Sequence, residues 1–218
     1  MPVIRSSQKD TETVNIYYED LGKGKSLVFI HGWPLSGSMW EYQVTEFTKR
    51  GFRCVTYDRR GFGKSDKPFS GYDYDTLAGD LKNVLDELSL EDVTLIGFSM
   101  GGGEVAKYFK LYGNQHISKV VLISTVLPYM LKTSDNPDGV PKQLFDEITT
   151  GIKNDRPGFM EGFAKNFYEV ATAKQPVSDA FLANNLARVM EASPIATLEC
   201  ANSFAFTDFR EDVPKINV

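Results

Sequence analysis

Gly97-Phe98-Ser99-Met100-Gly101 is a G-x-S-x-G pattern, placed where the apolar run Val93-Thr94-Leu95-Ile96 meets an amphipathic segment. A serine on a sharp strand-to-helix turn takes a strained backbone conformation. Glycines two residues to either side remove the β-carbons that would clash there. Such a turn lifts the hydroxyl above the sheet edge and sets it at a helix N-terminus, where free N–H groups and the helix dipole favour developing negative charge. These residue types at this spacing suit nucleophilic catalysis, with Ser99 as the nucleophile. A chance glycine-rich turn is the competing reading, and the strand before and helix after weigh against it.

The elements that must position this serine are legible on either side of it. Val14 to Tyr18 and Leu27 to Ile30 read as strands separated by Gly22-Lys23-Gly24-Lys25. That loop lacks P-loop spacing and is followed by a strand, so it reads as a hairpin turn. Ser38-Met39-Trp40-Glu41 has the S-x-x-E form of a capping box, opening a helix whose Trp40, Val44 and Phe47 share a face and which stops at Gly51. Phe52 to Tyr57 is the next strand, with the turn-rich Asp58-Arg59-Arg60-Gly61-Phe62-Gly63 at its carboxyl end. Asp58 and Arg59 read as organisers of that loop. Gly61-x-Gly63 is not a dinucleotide motif, because no third glycine follows and no helix opens there.

Leu77, Leu81, Val84, Leu85 and Leu88 mark an amphipathic helix, and Val93 to Ile96 is the strand leading to Ser99. The helix after the serine carries Val105, Ala106, Phe109 and Tyr112 on one face and ends near Gly113, before a strand at Lys119-Val120-Val121-Leu122-Ile123. Continuous apolar runs mark strands buried on both faces, and alternation of strand and helix from 26 to 125 predicts a parallel sheet. Ligands of such sheets bind at the carboxyl ends of the strands, where Ser99, the His31-Gly32 loop and the Asp58 loop all fall. From Leu127 to about Arg210 only helical segments are visible. They are marked by Leu144, Phe145 and Ile148, by Phe159, Phe163 and Phe167, by Phe181, Leu186 and Val189, and by a start at Ser193-Pro194. Residues 1–126 are therefore expected to form the core, 127–210 a helical cap over the carboxyl edge, and 211–218 a return toward the core.

Bulk properties narrow the partners. A chain of 218 residues sustains one sizeable core. A formal net charge of −5 with no basic block argues against nucleic acid or an anionic membrane. Cys54 and Cys200 cannot build a disulfide framework and have no metal-ligand spacing. With no apolar signal core at Met1-Pro2-Val3-Ile4-Arg5-Ser6 and no run of transmembrane length, the expected setting is reduced and cytoplasmic.

Taken together, the chain resembles the α/β-hydrolase superfamily and, within it, the cofactor-free bacterial haloperoxidases and their esterase relatives. The resemblance rests on His31-Gly32-Trp33-Pro34-Leu35, on Asp58 through Gly63 with Lys64-Ser65, and on Gly97 through Gly101 with Gly102-Gly103-Glu104. Leu127-Pro128-Tyr129-Met130-Leu131-Lys132-Thr133 and Thr207-Asp208-Phe209-Arg210-Glu211-Asp212 match as well, so it covers nearly the whole chain. It implies an α/β-hydrolase-type, mostly parallel sheet flanked by helices, and an acyl-enzyme on Ser99. The backbone N–H groups of Trp33 and Met100 would then form the oxyanion hole, with His31, Phe98 and Leu127 facing substrate. Pro34 has no N–H and cannot be a third donor. The implied substrates are small acyl esters, with water releasing an acid, or hydrogen peroxide in its place releasing a peracid that oxidises halide. No haem, metal or other cofactor is implied. The expected cap carries eight of the fifteen phenylalanines, either lining an acyl pocket or packing helix on helix.

The family's triad acid and histidine follow the cap, and this chain stops at Pro214-Lys215-Ile216-Asn217-Val218, where the sheet's last strands would begin. His31 lies in the oxyanion loop. His116 follows a helix that carries it roughly 18 Å or more from Ser99. Asp135 and Asp138, in a polar loop, are the remaining carboxylates considered for the acid. The sequence therefore predicts impaired catalysis by this chain alone, and an apolar edge at Val120 to Ile123 that self-associates or takes a complementing C-terminal segment. A non-catalytic relative acting in binding or assembly is the alternative.

Overall fold

A computed structural model describes residues 1–9, 11–170 and 176–218. Six strands form one sheet: β1 Val3–Ser6, β2 Val14–Gly22, β3 Ser26–Ile30, β4 Arg53–Tyr57, β5 Val93–Phe98 and β6 Ile117–Ile123. Their order is β1-β2-β4-β3-β5-β6. β4, β3, β5 and β6 are parallel, while β1 and β2 run antiparallel at one edge. The parallel strands expected from the apolar runs are therefore present. The hairpin is not. β2 pairs with β4, and β4 lies between β2 and β3, so residues 22–25 turn the chain past a strand. A β-carbon on Gly22 would stand 2.4 Å from the Phe52 carbonyl oxygen, and one on Gly24 2.2 Å from that of Gly51, because the turn wraps the start of β4. β1 was not anticipated; four residues with only Ile4 and Ser6 buried give too short a pattern.

Helices cover both faces, and β3 shows how. Val28 and Ile30 point into a cluster with Leu81, Val84 and Leu85 of α2 Tyr74–Glu87 and Val105 and Phe109 of α3 Met100–Tyr112. Leu27 and Phe29 point the other way, onto Trp40 and onto Val44 of α1 Glu41–Lys49. Each such fully buried aliphatic or aromatic side chain contributes about 1.5–3 kcal/mol relative to exposure. The capping box does not form. Gly37–Trp40 is a 3₁₀ turn, the Ser38 hydroxyl bonds Ser36 at 2.9 Å, and the Glu41 carboxylate accepts from Arg188 at 2.8 Å. Tertiary pairing has won over the local cap.

Among the described residues, three further α-helices follow β6. α4 Lys142–Phe167 joins the two expected segments across a bend at Asp155 (φ −154°, ψ 84°), just before Pro157, whose ring removes an N–H and crowds the preceding turn. α5 is Asp179–Met190 and α6 is Pro194–Phe206. Ser193 caps α6 by accepting from the Ala196 N–H, as the sequence predicts. These helices share a third cluster with Trp33 and Met100, which includes Phe145, Met160, Val189 and Phe204. Among the described residues, no helix is long and apolar enough to cross a membrane.

A buried polar link ties the antiparallel edge to the loop after β4. Arg60 donates from Nε and Nη2 to Asp80 of α2 at 2.6 and 2.8 Å, and Ser6 of β1 donates to the same carboxylate at 2.5 Å. Arg60 is fully buried, so removing its partner leaves an uncompensated charge. Asp80→Ala is expected to destabilise the fold by about 3–5 kcal/mol, seen as a lower urea midpoint at unchanged slope.

Candidate active site

Ser99 sits between β5 and α3 with φ 51° and ψ −118°, a left-handed conformation that L residues rarely adopt. Close passage of backbone explains the flanking glycines. A β-carbon on Gly97 would lie 2.9 Å from the Gly101 carbonyl oxygen, and one on Gly101 2.7 Å from that of Ile30. Three backbone bonds hold the turn: Ser99 N–H to the Ile123 carbonyl at 3.0 Å, Val126 N–H to the Ser99 carbonyl at 3.3 Å, and Gly102 N–H to the Ser99 carbonyl at 3.0 Å. The ends of β5 and β6 thus jointly fix the serine. Met100 is the first residue of α3, where a helix leaves its N–H groups without intrahelical acceptors.

The loop after β3 approaches from the other side. Gly32 lies so close that a β-carbon on it would stand 3.3 Å from the Ser99 β-carbon and 2.7 Å from the Phe98 ring. Trp33 is buried; its indole N–H donates to the Thr197 carbonyl of α6 at 2.9 Å, and its ring meets Phe163 and Phe204 edge-on at 5.4 and 5.5 Å. Trp33, Phe98 and Ser99 all line one cavity of about 870 Å³, together with Phe145, Ile148, Phe159, Phe163 and Phe167 among others. The phenylalanines therefore both pack together, with Phe163 stacked between Phe159 and Phe167, and face the cavity.

His31 and Leu127, read from the sequence as facing substrate, do not line this cavity. Leu127 is half-buried and packs against the cluster beneath it. His31 is wholly enclosed. Its Nε2 accepts from the Arg59 backbone N–H at 2.9 Å, and its Nδ1 lies 2.9 Å from the Gly32 carbonyl oxygen. Burial, and then the Arg59 charge, hold the His31 pKa well below the ordinary imidazole value, so the ring is neutral and its Nδ1–H donates to Gly32. His116 has both ring nitrogens on carboxylates, Glu91 and Asp86, each at 2.9 Å. Asp135 is engaged by Thr133 and Arg210.

Sequence reasoning gave Glu104 no role, and the structure puts it at the centre of a buried cluster. Arg59 donates from Nε to Glu104 at 2.7 Å and again from Nη2, and from Nη2 to the His31 carbonyl at 2.8 Å. The Tyr57 hydroxyl donates to the other Glu104 oxygen at 2.7 Å. Burial works against the Arg59 charge, yet the neighbouring carboxylate keeps its pKa above the ordinary value. The available signal was a glutamate one turn into a helix whose other face is apolar, a position that calls for a buried partner. Asp58 braces the loops by accepting from the Gly37 and Lys64 N–H groups, each at 2.8 Å.

Known proteins bear on this geometry. Residues 25–185 match the family model described as alpha/beta hydrolase fold. The chain is 39% identical to a non-heme chloroperoxidase of Kitasatospora aureofaciens, over 94% of this chain and 74% of that protein. It is also 39% identical to a bifunctional esterase/perhydrolase of Acinetobacter calcoaceticus, over 94% and 75%. The crystal structure of a bromoperoxidase from Bacillus anthracis superposes with a TM-score of 0.93 at 45% identity, covering all of this chain and 79% of that one. The chain belongs to the α/β-hydrolase family, among its non-haem haloperoxidases and esterases.

Proposed function

We propose that the chain is a serine hydrolase that forms an acyl-enzyme on Ser99 and passes the acyl group to water or hydrogen peroxide. The observation that carries this reading is the left-handed Ser99 at the start of α3, facing a large apolar cavity. The Ser99 hydroxyl oxygen attacks the ester carbonyl, the ester C–O bond breaks, and the alcohol leaves with a proton. The N–H groups of Met100 and Trp33 hold the oxyanion, each contributing about 3–4 kcal/mol to the transition state. Water then releases a carboxylic acid, and hydrogen peroxide releases a peracid. Relatives named chloroperoxidase and esterase/perhydrolase support both outcomes. Turnover by the 218-residue chain is proposed to be low, because the ring nitrogens of both histidines are engaged away from Ser99.

The cavity refines the substrate. At about 870 Å³ it lies toward the upper end of the range of about 300–1,000 Å³ that ligand pockets span, well beyond what an acetyl group needs. Its phenylalanines and aliphatic side chains suit an apolar acyl chain of several carbons.

Four outcomes test these readings and the state of the sheet edge. A fluorophosphonate is expected to label Ser99 and not Ser99→Ala, with ester hydrolysis lost in step and unchanged by a chelator; absence of labelling points to the binding alternative. Across nitrophenyl esters from acetate to octanoate, kcat/KM is expected to rise up to about fourfold per methylene, the equivalent of burying one CH₂. Ile148→Trp, which narrows the cavity, is expected to lower octanoate turnover at least about tenfold and spare acetate. Finally, β6 ends the sheet among the described strands with Val121, Leu122 and Ile123 exposed, and we propose that this edge pairs with a second copy. Light scattering is expected to show a concentration-dependent mass that Val121→Lys abolishes.

A further inference from the structure

We propose that the buried Arg59–Glu104 pair is a positioning device for the oxyanion pocket, tying the His31–Trp33 segment to the helix that begins at Met100. What the two amides do rests on the serine-hydrolase reading above. What holds them in place rests on geometry alone.

Arg59 follows β4 and lies between the two carriers. On one side its guanidinium donates twice to Glu104, which is one helical turn beyond Met100 on α3. On the other side it makes two bonds to His31, from its backbone N–H to Nε2 at 2.9 Å and from Nη2 to the carbonyl at 2.8 Å. His31 passes the constraint forward through its own Nδ1–H to the Gly32 carbonyl, and the next residue carries the Trp33 N–H. Gly32 is meanwhile pressed against Phe98 and Ser99, so the loop is held from below by Arg59 and from above by the serine turn. One guanidinium thus fixes the separation between two amides that approach the site from different strands.

Stability alone is a weak reason for such a pair. A fully desolvated ion pair is commonly replaceable by apolar residues at no loss of stability. The planar fork of arginine offers what apolar packing does not, which is direction toward two acceptors at once. Arg59 and Glu104 are buried and do not line the cavity beside Ser99, so they are positioning residues and not catalytic ones.

The test uses the full chain and the double variant Arg59→Met/Glu104→Leu, with Glu104→Gln as a second variant should the first fail to fold. Three quantities are read: the rate constant and the affinity constant for modification of Ser99 by an alkyl fluorophosphonate, and amide hydrogen exchange over residues 31–35. The expected result is a ten- to hundredfold fall in the rate constant with affinity within twofold. Exchange at 31–35 is expected to quicken at least tenfold, with β5 unchanged. A folded variant with wild-type exchange overturns the proposal, as does faster exchange with an unchanged rate constant. If the wild-type chain is not labelled, the serine-hydrolase reading fails and the exchange comparison still decides whether this pair holds the loop.

Discussion

The crossing of β5 into α3 beside β3 is the constraint on which the rest of this structure depends. A serine in a left-handed conformation costs on the order of 1–3 kcal/mol, and persists only where its surroundings over-determine it. Here they do so by contact. The Gly101 backbone passes within a β-carbon's reach of Ile30, and Gly102 and Gly103 press as closely on Thr125 and Tyr74. Backbone bonds to Ile123 and Val126 complete the enclosure. A β-carbon at 97 or 101 would push the start of α3 away from the sheet, and with it the turn that carries Ser99.

Most of this crossing was legible in the chain. The apolar run before Ser99, the glycines around it and the helical stripe after it are local signals, and local signals survive folding when nothing tertiary competes. The cap of α6 at Ser193-Pro194 survived for the same reason. The Ser38–Glu41 pattern is as good a local signal, yet Arg188, from a helix roughly 150 residues along the chain, takes the glutamate away. The turn at residues 22–25 misled because glycine and lysine report that the chain reverses and not which strand it reverses onto. Arg59 and Glu104 were in view as parts of motifs, but 45 residues separate them and periodicity says nothing about partners across a sheet.

The cavity shows a different kind of limit. Phenylalanines at helical spacing on α4 announce an apolar stripe, and a stripe serves packing or a pocket equally well. Here both halves of α4, on either side of the bend at Asp155, line the cavity with Trp33 and Ser99, Phe145 and Ile148 before it and Phe159, Phe163 and Phe167 after it.

The enclosed imidazole has a thermodynamic consequence. A histidine held neutral by burial binds no proton at a pH where the same residue in the unfolded chain does. The folded pKa is depressed, so the unfolded state takes up more protons as the pH falls below about 6.5, and the folded state loses stability with it. The loss runs at up to about 1.4 kcal/mol per pH unit until the folded-state pKa is reached. Above that window His31 makes no such demand. Proton uptake therefore acts on the stability of this fold through a group that does not line the cavity beside Ser99.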